Sequence, residues 1–156
     1  MLIFIFIQAL FTLFIAGGLF FKEHLLKNRT IGLYFVLFSI EVFYFFYGTS
    51  NLRELYPQFI GRFYFSIGVM YGPLLWLHFN SVIHPETNIS FKDIWHFIPL
   101  LLLNIYMLDI IIMPDVERMA YFNNQEYFYN RVFYLIYVRS LHQIVYAILL
   151  YKLYKK

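Results

Sequence analysis

Apolar positions fall into five long stretches, residues 2–21, 30–49, 63–83, 95–113 and 129–151, separated by short polar connections. A helix needs about 20 apolar residues to cross a ~30 Å hydrocarbon core, so each stretch predicts a transmembrane helix. Together they predict an all-α, polytopic five-helix bundle forming a single domain over residues 1–156. The connection "SNLRELYPQFIGR" carries Pro57 and Gly61, both helix breakers. In "HPETNISFKD", Ser90 with Asp93 three positions on has capping-box spacing, which lets the fourth helix begin near Phe91. The first stretch lacks a basic n-region and an A-x-A site, and its apolar run exceeds the ~7–15 residues of a signal peptide, so it is read as a retained helix.

Composition agrees. Hydrophobic residues make up 62% of the 156 and charged residues 13%, against roughly 45–50% and 25% in a soluble domain; mean hydropathy is +0.64. With no cysteine, disulfides, thiolate metal sites and thiol catalysis are excluded. The net charge of +3 is too small to argue for nucleic acid.

The placement of charge says more. Lys22, Lys27, Lys92, Lys152, Lys155 and Lys156 all lie on one side of a five-span chain, and the other side has no lysine. The positive-inside rule then predicts an outside N-terminus and a cytoplasmic C-terminus. Two glycosylation sequons, at Asn28 and Asn88, would face the cytoplasm and are read as chance.

Inside that frame, "YLIYVRSLHQIVYAI" (134–148) places Arg139 near the middle of the fifth helix. Arg there costs roughly 2.5–3.5 kcal/mol on insertion scales. Eleven Leu, Ile, Phe or Val residues between Val132 and Leu150 contribute on the order of −5 kcal/mol. The helix tolerates the charge but calls for a partner, and Glu41 in "LFSIEVFYFF" lies at matching depth in helix two. His142 and Gln143 share the face of Arg139 by their i+3 and i+4 spacing. Such a set is either a structural clip or part of a sensing or ion pathway. Asp109, about one turn from the outer end of helix four, is read as a carboxylate reaching the interface or touching Arg131 or Arg118. Gln8 and Asn104 are read as interhelical hydrogen-bonding groups.

Catalytic chemistry finds no foothold. His78 and His142 sit at depths that differ by about a turn, too far apart in register for a haem pair, and His24, His84 and His96 lack tight ligand spacing. There is no H-E-x-x-H, G-x-S-x-G or phosphate-binding glycine loop. A non-enzymatic protein with neither cofactor nor metal is expected. Aromatics, 24% of the chain, concentrate toward the outer side. There they form either an interfacial belt or an external vestibule for an amphipathic ligand, with Tyr44, Tyr47, Asp109, Tyr134 and Tyr137 as its candidates.

The segment "YGPLLWLHFNSVIHPETNISFKDIWHFIPLLLL", residues 71–103, resembles the N-terminal membrane region of bacterial membrane-anchored AraC-type helix-turn-helix regulators. Gly72, Pro73, His96, Phe97 and Pro99 occupy the matching positions, and the opening and closing stretches are also similar. Such regulators continue into further helices and a cytoplasmic DNA-binding domain, whereas this sequence stops at Lys156 after the fifth helix. The resemblance therefore implies the sensor or anchor half of a one-component regulator, either a fragment or a stand-alone relative, with no nucleic-acid contact of its own. Physically, Pro73 should kink helix three, Gly72 should permit close packing, and Pro99 is tolerated in a first turn and otherwise kinks a helix begun near Phe91. The expected partners are the lipid bilayer, a small-molecule or envelope ligand, and a second copy of the chain. The alternatives are a small transporter or channel subunit using Glu41, Arg139 and His142, or a structural assembly protein.

Overall fold

In the computed structural model, which describes residues 2–22, 26–61, 64–86 and 90–155, every regular element is helical. Six helices organise it: α1 (Leu2–Phe21), α2 (Leu26–Thr49), α3 (Tyr71–Ile83), α4 (Ile98–Tyr106), α5 (Asp115–Asn123) and α6 (Gln125–Tyr154). Three of the described helical stretches are long and apolar enough to cross a membrane: Leu2–Phe21, Leu26–Thr49 and Tyr129–Tyr154. The first matches its predicted bounds, and the other two extend beyond theirs.

The third and fourth predicted helices are segmented. Before α3 comes one α turn, Tyr64–Ile67, and then a 3-10 turn, Gly68–Met70. Pro73 explains the tightening: it has no N–H for the carbonyl of Val69, and its ring crowds that carbonyl. The predicted start at Phe63 lies outside the described residues. In the fourth stretch, Phe91–Ile94 is α, Trp95–Phe97 is 3-10, α4 follows, and a break at Met107 precedes a last turn at Leu108–Ile112. Pro99 sits in the first turn of α4, where its missing N–H costs nothing. The helix does begin at Phe91, where the Ser90 N–H donates to the Asp93 carboxylate at 2.7 Å.

α1 packs on α2 through small residues. Ala9, Thr12 and Ala16 form its buried stripe, and the Ser39 hydroxyl donates to the Ala9 carbonyl at 2.5 Å. Such close approach is how helices associate where lipid removes the hydrophobic drive between them. This contact, and not Gln8, supplies a hydrogen bond between α1 and α2. Gln8 is exposed, and the Asn104 amide donates to Leu100 of its own helix at 2.8 Å.

α3 packs between α2 and α6. α6 presents one stripe to the bundle: Val132, Leu135 and Tyr146 are buried, and Arg139 and His142 are half-buried. These five residues follow a 3-4-3-4 spacing, the narrow seam of a helix packed along a single line. Val69, Leu103, Met107, Ile110 and Leu135 form the apolar core where that seam meets the segmented stretches. Elsewhere the long helices are outwardly apolar, as at Phe4, Phe14, Leu141 and Ile144, which is the surface a bilayer covers.

Candidate functional site

Helices α2, α3 and α6 bring an acid, a base and a phenol together. Arg139 Nη1 lies 2.6 Å from Glu41 Oε1, and the Tyr71 hydroxyl donates to Glu41 Oε2 at 2.5 Å. The partner nominated for Arg139 from depth alone is thus in contact with it. Tyr71 was not expected there, because a phenol on an apolar helix carries no periodic signal. The guanidinium also lies 5.7 Å from the centre of the Tyr71 ring, which itself packs on Tyr34 at 5.0 Å.

Gly68 makes the pair accessible. A Cβ at that position would run into Nε, Cδ and Cζ of Arg139, so the 3-10 turn ahead of α3 leaves a glycine-sized notch for the arginine side chain. Gly72, one turn on, does the same for Tyr146, whose Cβ and ring a Gly72 side chain would meet. The sequence reading of Gly72 as a close-packing residue is therefore met by a specific neighbour.

Tyr146 anchors a second polar group. Its hydroxyl is 2.6 Å from His96 Nδ1, with Trp76 against the other side of the imidazole at 4.5 Å. His142 stacks on Tyr146 with ring centres 4.8 Å apart, yet both its ring nitrogens are buried without a hydrogen-bond partner among the described residues. His78 is remote from His142 in chemistry, its Nδ1 lying 2.9 Å from the Lys27 carbonyl. Among the described residues no group of His, Asp or Glu has the makings of a metal site.

Between the two polar groups is a cavity of about 260 Å³, lined by Tyr34, Tyr71, Gly72, Leu75, Gln143 and Tyr146. Gln143 thus lines one cavity with Tyr71, the residue that donates to Glu41. Both tyrosines that anchor polar contacts, Tyr71 and Tyr146, line it.

The five residues proposed for an outer vestibule divide. Tyr44 and Tyr47 line a cavity of about 270 Å³ with Phe45, Gly48, Phe65 and Phe122 among its other walls. Their hydroxyls are committed to backbone carbonyls, Tyr44 to Phe59 at 3.0 Å and Tyr47 to Tyr56 at 2.8 Å, so they also hold the turn after α2 in place. Tyr134 and Tyr137 face outward from α6 and line no part of that cavity. Asp109 is held instead by Arg131, at 2.5 and 2.8 Å, and Arg131 also donates to the Tyr106 carbonyl at 2.5 Å. Of its two suggested partners, Arg131 is the one found.

Arg118 has a different task. It is fully buried and donates to the Met113 carbonyl at 2.6 Å and the Gln58 carbonyl at 3.1 Å, and it pairs with Asp115. One side chain thus ties α5 to the 57–59 turn. α5 itself falls in the 114–128 connection between the fourth and fifth apolar stretches, where no helix was expected. Pro114 followed by Asp115 and Glu117 in the first turn was the available signal. No family model, curated protein or solved structure matches the chain.

Proposed function

We propose that the chain is a membrane-embedded sensory and anchoring module, laid out like the N-terminal half of a membrane-anchored AraC-type regulator and without catalytic activity of its own. In this reading the broken stretches 64–83 and 91–112 are the third and fourth of five crossings. The N-terminus is outside, the C-terminus is in the cytoplasm, and the membrane is the bacterial cytoplasmic one. The observation that carries the reading is the Glu41–Arg139 pair, 2.6 Å long, joining α2 to α6. Tyr44 and Phe45 of the aromatic cavity are one helical turn beyond Glu41 on the same helix. A ligand in that cavity therefore presses on α2 within a turn of the contact that holds α6, and α6 runs to the lysine-rich end.

The test is a chimera with a helix-turn-helix reporter domain joined after Lys156. Glu41→Gln and Arg139→Gln should each shift reporter output from the wild-type set point at equal membrane abundance. Identical output from all three would overturn the sensory reading. For orientation, a cysteine replacing Asn124 should be labelled in intact cells; labelling only after permeabilisation would reverse the topology.

A second reading, a small transporter or channel subunit, is favoured by the cavity between Tyr71 and Tyr146. It requires proton-coupled uptake in liposomes that Glu41→Gln abolishes.

A further inference from the structure

The aromatic cavity beside Tyr44 and Tyr47 does not end at its apolar walls. It adjoins a polar one of about 360 Å³, lined by Thr49, Ser50, Asn51, Glu54 and Asn123 among others. Gly48, Thr49 and Arg53 line both. Together the two fall within the ~300–1,000 Å³ typical of ligand pockets.

Two features at the junction are specific. A Cβ at Gly48 would meet nothing within 4 Å, so here a helical glycine leaves space open, whereas Gly68 and Gly72 accommodate a neighbour. The other feature is the half-buried Arg53. Arg118, Arg131 and Arg139 each hold a carboxylate, of Asp115, Asp109 and Glu41 respectively. Arg53 is held by the neutral side-chain amide of Asn123, so among the described residues its charge meets no carboxylate at the boundary of an oily and a polar compartment. Glu54 lines only the polar one, which keeps the boundary itself cationic.

We propose that the joined cavities bind a single-chain anionic amphiphile, with its tail among Phe45, Phe65 and Phe122 and its carboxylate or phosphate oxygens on Arg53. This names the ligand class for the sensory module and rests on that reading only for its consequence, not for binding.

The experiment uses the full chain in phosphatidylcholine nanodiscs and a tail-diazirine analogue of dodecanoate, with crosslinks mapped by mass spectrometry. Saturable labelling is expected within residues 44–65 and 119–123. Gly48→Leu, whose Cβ has nothing within 4 Å and whose side chain favours the helix, should fill the junction and abolish labelling while retaining helical circular dichroism and a monodisperse profile. Arg53→Gln should weaken dodecanoate about tenfold, as loss of a charge-assisted hydrogen bond does, and leave the matching alcohol unchanged.

Non-saturable labelling, or wild-type labelling in folded Gly48→Leu, overturns the site. Equal losses of acid and alcohol in Arg53→Gln overturn the anionic head. Adding phosphatidylglycerol to the nanodiscs decides between chain numbers: displacement of the probe overturns the single-chain ligand in favour of a two-chain bilayer lipid, and persistence supports a free single-chain amphiphile. Saturable binding with an unresponsive reporter chimera would sink the sensory reading and leave the site standing.

Discussion

Glu41 divides its two carboxylate oxygens between different helices, Oε1 to Arg139 of α6 and Oε2 to Tyr71 of α3. One acid therefore closes a three-helix contact, and in a low-dielectric surrounding each member depends on the others. Glu41→Gln and Arg139→Gln should each destabilise the fold by about 3–5 kcal/mol, because each strands a charge. The charge-swapped double variant should recover part of that loss, and Tyr71→Phe should cost about 1–3 kcal/mol. Unfolding in mixed detergent micelles measures all four. A double-mutant cycle with no coupling between Glu41 and Arg139 would refute the pairing.

Glycines in this chain separate cleanly by what surrounds them. Gly68→Ala should destabilise by about 1–3 kcal/mol, since its methyl group meets the Arg139 side chain. Gly17→Ala, in α1 with nothing within 4 Å, should instead stabilise by about 0.5–1 kcal/mol. Thermal shifts of the same sign in both variants would contradict this division.

His142 and Tyr146 touch but should respond in opposite directions. His142→Phe removes two buried ring nitrogens that have no hydrogen-bond partner among the described residues, so it should leave stability unchanged or raise it by about 1 kcal/mol. Tyr146→Phe removes the contact to His96 Nδ1 and should lower stability by about 1–3 kcal/mol. A clear loss in His142→Phe would show that the imidazole has a polar task.

Arg118→Met keeps the bulk of the side chain and removes its donors to Met113 and Gln58. The turn over residues 52–61 should then lose hydrogen-exchange protection while α1 and the first half of α2 keep theirs. A global cost of about 1–3 kcal/mol is expected, since the buried Met113 and Gln58 carbonyls lose their donor. Uniform exchange across the chain would argue against a local clasp.

How much of this was legible depended on the kind of signal. α1 and most of α2 and α6 follow from uninterrupted apolar runs, and Glu41 and Arg139 could be matched because depth along a straight helix is a count of residues. The same counting fails where the axis breaks. Pro73 and Pro99 were recognised as disturbances, but proline marks where a hydrogen bond is lost, not whether the chain answers with a bend or with a 3-10 turn. Tyr71, Gly68 and the Tyr146–His96 contact were not legible, since a phenol on an apolar helix can bury itself without any polar partner. Tyr134 and Tyr137 illustrate the limit from the other side: a belt and a vestibule need the same residues in sequence, and only the rotation of α6 separates them.

The 3-10 turn at Gly68–Met70 is also a ruler. A 3-10 residue rises about 2.0 Å and an α residue about 1.5 Å, so converting those three residues to α would shorten the strut leading into α3 by about 1.5 Å. Arg139 lies against Gly68 and grips Glu41, which makes that stroke large compared with the tolerance of a hydrogen bond. Pro73 withholds the N–H that an α turn at Val69 would need, so it holds the strut at the longer pitch and sets the height at which α3 meets α6.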